Sequence, residues 1–161
     1  MKKFIAVILA VVTVFAFTGC GKTVKAIDIN AVGKTLNEGC SFEETPAFID
    51  DTEFALTSMA ADTALVKKTD NGFACYKAVS ASTPEIILII EAVDAKAAET
   101  LNNGAVKTWI NKNIEGYSDY GPEYIPWLKS CVNTVAGNYV FLIVSKDNTA
   151  AEKLLNEQIY D

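Results

Sequence analysis

Histidine is the usual proton carrier near neutral pH, and this chain of 161 residues contains none. Its absence excludes Ser-His-Asp and Cys-His catalytic arrangements and any imidazole metal ligand. Gly116-Tyr117-Ser118-Asp119-Tyr120 comes near a nucleophile elbow, but the closing glycine is displaced to Gly121 and no base accompanies it. Gly21-Lys22-Thr23 and Gly33-Lys34-Thr35 have the tail of a phosphate-binding loop. The earlier glycine that such a loop needs is Ala16 in the first case and Asp28 in the second, so both fail.

Three groups of side chains remain. Glu43, Glu44, Asp50, Asp51 and Glu53 place five carboxylates within eleven residues, with no lysine between them. Oxygen ligands suit calcium, and a carboxylate pair suits glycoside cleavage. The segment lacks the alternating spacing and central glycine of a calcium loop, so a solvated acidic loop is the plainer expectation, with no metal. Tyr117, Tyr120, Tyr124 and Trp127 lie among Gly121, Pro122 and Pro126. Aromatic rings on proline-stiffened backbone can form a face for sugars or peptides, flanked here by Asp119 and Glu123. Packing against the core is the competing role. These four rings are the candidate ligand-binding residues, and no residue qualifies as catalytic. Cys40, Cys75 and Cys131 contain no Cys-x-x-Cys pair, which excludes a zinc knuckle or a thioredoxin-like motif. Any two could form a disulfide, or all three could be small buried residues.

The fourth cysteine, Cys20, has a different setting. Met1-Lys2-Lys3 is a basic head, and residues 4–17 are apolar except for Thr13. That run is shorter than the roughly 20 residues a membrane-spanning helix needs, and it reads as a secretory signal. Phe17-Thr18-Gly19-Cys20 resembles a bacterial lipoprotein box, although leucine is usual where Phe17 stands. The resemblance implies cleavage before Cys20 and a diacylglyceryl group, with palmitate-type chains, on its thiol. The expected organisation is a signal peptide over 1–19, a lipidated cysteine and tether over 20–26, and a single domain over 27–161. Removing residues 1–19 leaves 142 residues, and the loss of Lys2 and Lys3 moves the net charge from −6 to −8. All basic residues are lysines, dispersed along the chain. That charge disfavours nucleic acid and anionic headgroups, so any hold on the membrane must be covalent or through a partner, and the lipoprotein box implies lipid on Cys20, on the extracytoplasmic side.

The elements that position these groups follow from periodicity and capping residues. Asp28 caps a helix over 29–38, with Ile29, Val32 and Leu36 on one face and Gly39 as its stop. Residues 40–51 are irregular, and 52–59 form a short helix with Phe54, Ala55, Ser58 and Met59 on one side. Asp70-Asn71-Gly72 is a turn, followed by a strand over 73–80. The apolar run over 86–90 predicts a strand buried on both faces. Asp94 then caps a helix of about 20 residues. Ala98, Leu101, Ala105 and Trp109 form its stripe, with Val106, Ile110 and Ile114 beside it and a kink at Gly104. Residues 116–126 form an aromatic connector. Strands over 128–136 and 139–145 flank the Gly137-Asn138 hairpin turn. Thr149 and Glu152 make a capping box for a last helix, whose buried residues are Ala151, Leu154, Leu155 and Ile159. The sum is an α+β domain with about four mainly antiparallel strands and three main helices. Strands 86–92 and 139–145 are expected inside the sheet, because unbroken apolar runs on an edge invite aggregation. A domain of this size needs no metal or disulfide to hold its core.

Pro84-Glu85-Ile86, Tyr120-Gly121-Pro122-Glu123, and Gly137-Asn138-Tyr139-Val140 leading to Val144-Ser145-Lys146-Asp147 together resemble an uncharacterised lipoprotein family, a domain of unknown function common in clostridia-like Gram-positive bacteria. The resemblance implies a surface-anchored α+β domain without an established reaction, so no catalytic residue or cofactor transfers from it. The expected function is non-catalytic binding of a ligand or envelope partner: a cell-wall glycan, a peptide or an envelope protein. The alternatives are a carboxylate-based hydrolase acting on cell-wall glycans, or a purely structural envelope component.

Overall fold

The computed structural model describes residues 23–68, 72–80 and 82–161. Asp28 opens α1 (Ile29–Gly39) by accepting hydrogen bonds from the amides of Asn30 and Ala31. The chain continues through β1 (Ala47–Phe48), α2 (Thr52–Ser58) and a 3-10 turn at Thr63–Leu65 to β2 (Phe73–Lys77) and β3 (Ile86–Glu91). Asp94 caps α3 (Ala95–Leu101), which runs through a π turn (Asn102–Val106) into α4 (Lys107–Tyr120). A 3-10 turn (Pro122–Tyr124), α5 (Ile125–Lys129), β4 (Val132–Ala136), β5 (Tyr139–Val144) and α6 (Asn148–Ile159) complete the described chain.

The five strands form one antiparallel sheet in the order β1-β2-β3-β5-β4. Every residue of β3 and β5 is buried, and both strands are interior, as their unbroken apolar runs require. Alternation then divides the core in two. Ile86, Leu88, Ile90, Val140, Leu142 and Val144 pack with buried residues of α2, α3, α4 and α5. Ile87, Ile89, Phe141 and Ile143 pack with Ile29, Val32 and Leu36 of α1 and Ala151, Leu155 and Ile159 of α6. Helices therefore cover both faces of the sheet. Each fully buried aliphatic side chain contributes about 1.5–3 kcal/mol, and three successive residues of β3, Leu88, Ile89 and Ile90, are 0% exposed.

The α+β class holds, and the described residues form one strand more than expected and five helical bodies, counting α3 and α4 as one. The added strand, β1, has two residues, too few to leave an alternation in the sequence. The strand expected over 73–80 ends at Lys77. The helix after Asp94 is longer than expected. At Gly104 it takes the π turn, where the Lys107 amide reaches back to the Asn102 carbonyl. Its last turns take in Gly116–Tyr120, and the 3-10 turn and α5 follow, so the aromatic connector is helical on both sides of Gly121. The strand expected from residue 128 starts at Val132, because Pro126 fixes a φ suited to the first turn of a helix and α5 forms there. Gly39 is the last residue of α1, not its stop; Cys40 caps it, donating its amide to the Leu36 carbonyl at 2.8 Å. Asp147, not Thr149, caps α6: its carboxylate accepts from the Ala150 amide at 3.0 Å. Gly137 adopts φ +60° in the two-residue turn between β4 and β5. Asp70 and Asn71 of the expected turn lie outside the described residues, as do the leader and Cys20.

Candidate functional site

Glu85 sits at the mouth of β3 and is fully buried. Its carboxylate accepts hydrogen bonds from the Glu43 amide at 2.6 Å, the Glu44 amide at 2.9 Å and the Thr83 hydroxyl at 2.9 Å. A buried carboxyl group is tolerable only with such partners, since each of its oxygens would otherwise lose its bonds to water. Glu44 repeats the device in the other direction. Its carboxylate accepts from the amides of Val79 at 2.8 Å and Ser80 at 2.9 Å, and from the Ser80 hydroxyl. Those bonds to Ser80 hold the Glu44 carboxyl below its ordinary range. The Glu43-Glu44 segment is thus pinned between the mouth of β3 and the loop after β2.

The aromatic rings adjoin this knot. Tyr117 on α4 is 4% exposed, and its ring lies 5.0 Å from Tyr120 and 5.5 Å, edge-on, from Tyr124. Tyr124 meets Trp127 edge-on at 5.0 Å. All four predicted rings therefore form one contiguous chain, with Tyr117 at its base and Tyr120, 68% exposed, at its surface. Tyr124 and Trp127 are half-buried. Glycine is required at 121 by proximity: a Cβ there would lie 2.8 Å from Tyr117 and 2.9 Å from Tyr124. Burial first, then the neighbouring Glu43 carboxylate, pushes the Tyr124 phenol pKa up. Burial, with the neighbouring Tyr120, Tyr124 and Glu85, pushes the Tyr117 phenol up to about 12. The Trp127 carbonyl accepts from the Asn148 side chain at 2.8 Å, which fixes α5 to the start of α6.

The acidic group does not converge on one point. Glu43 and Glu44 belong to the Glu85 knot, whereas Asp50, Asp51 and Glu53 lie at the start of α2. Among the described residues no group of three or more His, Cys, Asp or Glu side chains is placed to hold a metal ion. Cys40, Cys75 and Cys131 are free thiols, so no disulfide joins them. Burial pushes Cys75 up to about 12, and Cys40 and Cys131 up to about 11, which leaves their thiols protonated at neutral pH. Cys131 lies just before β4 and not inside a strand.

Glu85 is the residue that pattern reading passed over. A lone carboxylate between Pro84 and a run buried on both faces has to be paired, and that inference was available from the sequence. At the opposite end of β3, Glu91 accepts from Lys67 at 2.6 Å and from the Asn138 side chain at 3.2 Å. A cleft of about 590 Å³ lies near this second pair, lined by Leu56, Val66, Lys67 and Phe73 among others.

No curated protein and no solved structure matches the chain. The profile of one family, described as Domain of unknown function (DUF4358), matches residues 57–145. That span covers β2 to β5 and includes Glu85 and the four rings, while Glu43 and Glu44 precede it. It takes in more than half of the sequence, and the chain belongs to the DUF4358 family.

Proposed function

We propose that the protein is a lipid-anchored extracytoplasmic domain, held by a diacylglyceryl thioether on Cys20, that binds a cell-wall glycan without converting it. The binding surface is formed by Tyr120, Tyr124 and Trp127, with Glu43 and Glu123 as acceptors for sugar hydroxyls. The observation that carries this reading is the ring chain itself, in which an exposed Tyr120 and a half-buried Tyr124 rest on a buried Tyr117. Rings held by packing lose little freedom on binding, so their contacts are efficient. Two features favour binding over hydrolysis. Glu85 is fully buried with three donors, and Glu44 is engaged by Val79 and Ser80. Neither is free to serve as the acid of a glycosidase pair.

The test is co-sedimentation with insoluble purified wall glycan. Wild-type protein is expected in the pellet, and Tyr120→Ala and Trp127→Ala are expected to remain in solution while still folded. Equal pelleting of wild type and folded variants contradicts the reading.

A further inference from the structure

The described chain is fastened at its start to the far end of α6. Val24 pairs with Tyr160 in an antiparallel bridge, and the Lys25 amide donates to the Ile159 carbonyl at 3.1 Å. The Lys25 ammonium adds a bond to the Tyr160 carbonyl at 3.4 Å. Cys20 precedes Val24 by four residues, a stretch of chain that spans at most about 14 Å. A lipid on Cys20 therefore keeps the C-terminal end of α6 within that distance of its point of attachment.

The rings pack on the opposite face of the sheet from α6, and the backbone that carries Trp127 meets the other end of that helix. Twelve residues of α6 rise roughly 18 Å. At its first residue, Asn148 donates to the Trp127 carbonyl at 2.8 Å and to the Ser130 hydroxyl at 3.1 Å. The sheet has the same polarity. Ile86 pairs with Val144 at the end where Glu85 and the start of α6 lie, and Glu91 pairs with Tyr139 at the other. α6 begins just after β5, at the Val144 end of the sheet, and its last residue, Ile159, shares a buried cluster with Tyr139 of the opposite end.

We infer that the short tether holds the Tyr160 end of the domain against the bilayer and displays Tyr120, Tyr124 and Trp127 away from it, so that the surface takes a glycan strand of the wall and not a lipid or a membrane-embedded partner. The inference rests on the lipid anchor proposed above.

The test uses full-length lipidated protein in vesicles that contain a nitroxide-labelled headgroup lipid. Trp109→Phe leaves Trp127 as the reporter at the ring end. Trp109→Phe with Trp127→Phe and Asp161→Trp moves the reporter to the tethered end, at an exposed residue. The expected result is loss of emission from the D161W reporter and unchanged emission from Trp127. Vesicle-bound protein with Trp127 quenched as strongly as the D161W reporter overturns the orientation alone. Protein that does not float with the vesicles overturns the anchor and the orientation with it.

Discussion

The Glu85 carboxylate accepts the Glu43 amide at 2.6 Å across 42 residues of sequence, and this bond ties the acidic loop to the mouth of the central strand. The same loop brings Glu43 beside Tyr124, so the buried carboxyl group and the aromatic chain adjoin. The ring face is held by hydrogen bonds to a buried carboxyl group as well as by apolar packing.

Substituting Glu85 should be costly. Glu85→Gln keeps the shape but weakens three bonds and turns an amide donor toward donors, so it should destabilise the domain by about 2–3 kcal/mol. Urea unfolding should show this as a lower midpoint at an unchanged slope. An unchanged midpoint contradicts the role assigned to Glu85.

Acid should loosen the loop through Glu44. Its folded-state pKa lies below the ordinary 4.5, so its contribution is full above that value and is lost as the pH falls through the lowered one. Wild type should therefore exceed Glu44→Gln in urea midpoint at neutral pH, and the gap should close in acid. A gap that is constant with pH means that the Ser80 contacts do not depend on the charge.

The rings should separate by burial. Tyr117→Ala should cost about 3–5 kcal/mol, as for other buried aromatics. Tyr120→Ala should stay within about 0.5 kcal/mol, the usual range for an exposed position. Gly121→Ala should disturb both Tyr117 and Tyr124, because its Cβ would approach each within 3 Å. Thermal unfolding of the three variants checks the order, and a large loss for Tyr120→Ala contradicts it.

Much of this fold was legible because its core strands are uniform. The run Ile86-Ile87-Leu88-Ile89-Ile90 can only be a strand covered twice, and Asp28 and Asp94 mark helix starts by side-chain chemistry that is local. What was not legible is tertiary. Pro126 reads equally well as a loop residue or a helix first turn, and contact with α6 through Asn148 accompanies the helical choice. Glu43 and Glu85 meet only after β1 and β2 have folded back, so no spacing rule joins them. The four rings were visible as a group, but their order from buried to exposed depends on the length of α4.

The thiols should behave as core residues. Cys75, 3% exposed with its thiol raised to about 12, should resist thiol reagents in the native protein at neutral pH and react on unfolding. Rapid native-state labelling of Cys75 contradicts its placement.

Amide exchange should be slowest in the interior strands. Leu88 and Leu142 face each other across β3 and β5 and are 0% exposed. Their amides should exchange only through global opening, and fast exchange at either contradicts the placement.

The most direct measurement of the central claim is a titration of the chain carrying Cys20→Ser with soluble wall-glycan oligomers, followed by nuclear magnetic resonance. The account predicts shifts confined to Tyr120, Tyr124, Trp127 and the neighbouring Glu43 and Glu123. Shifts centred on the cleft lined by Leu56, Val66 and Phe73, or no shifts at saturating glycan, would contradict it.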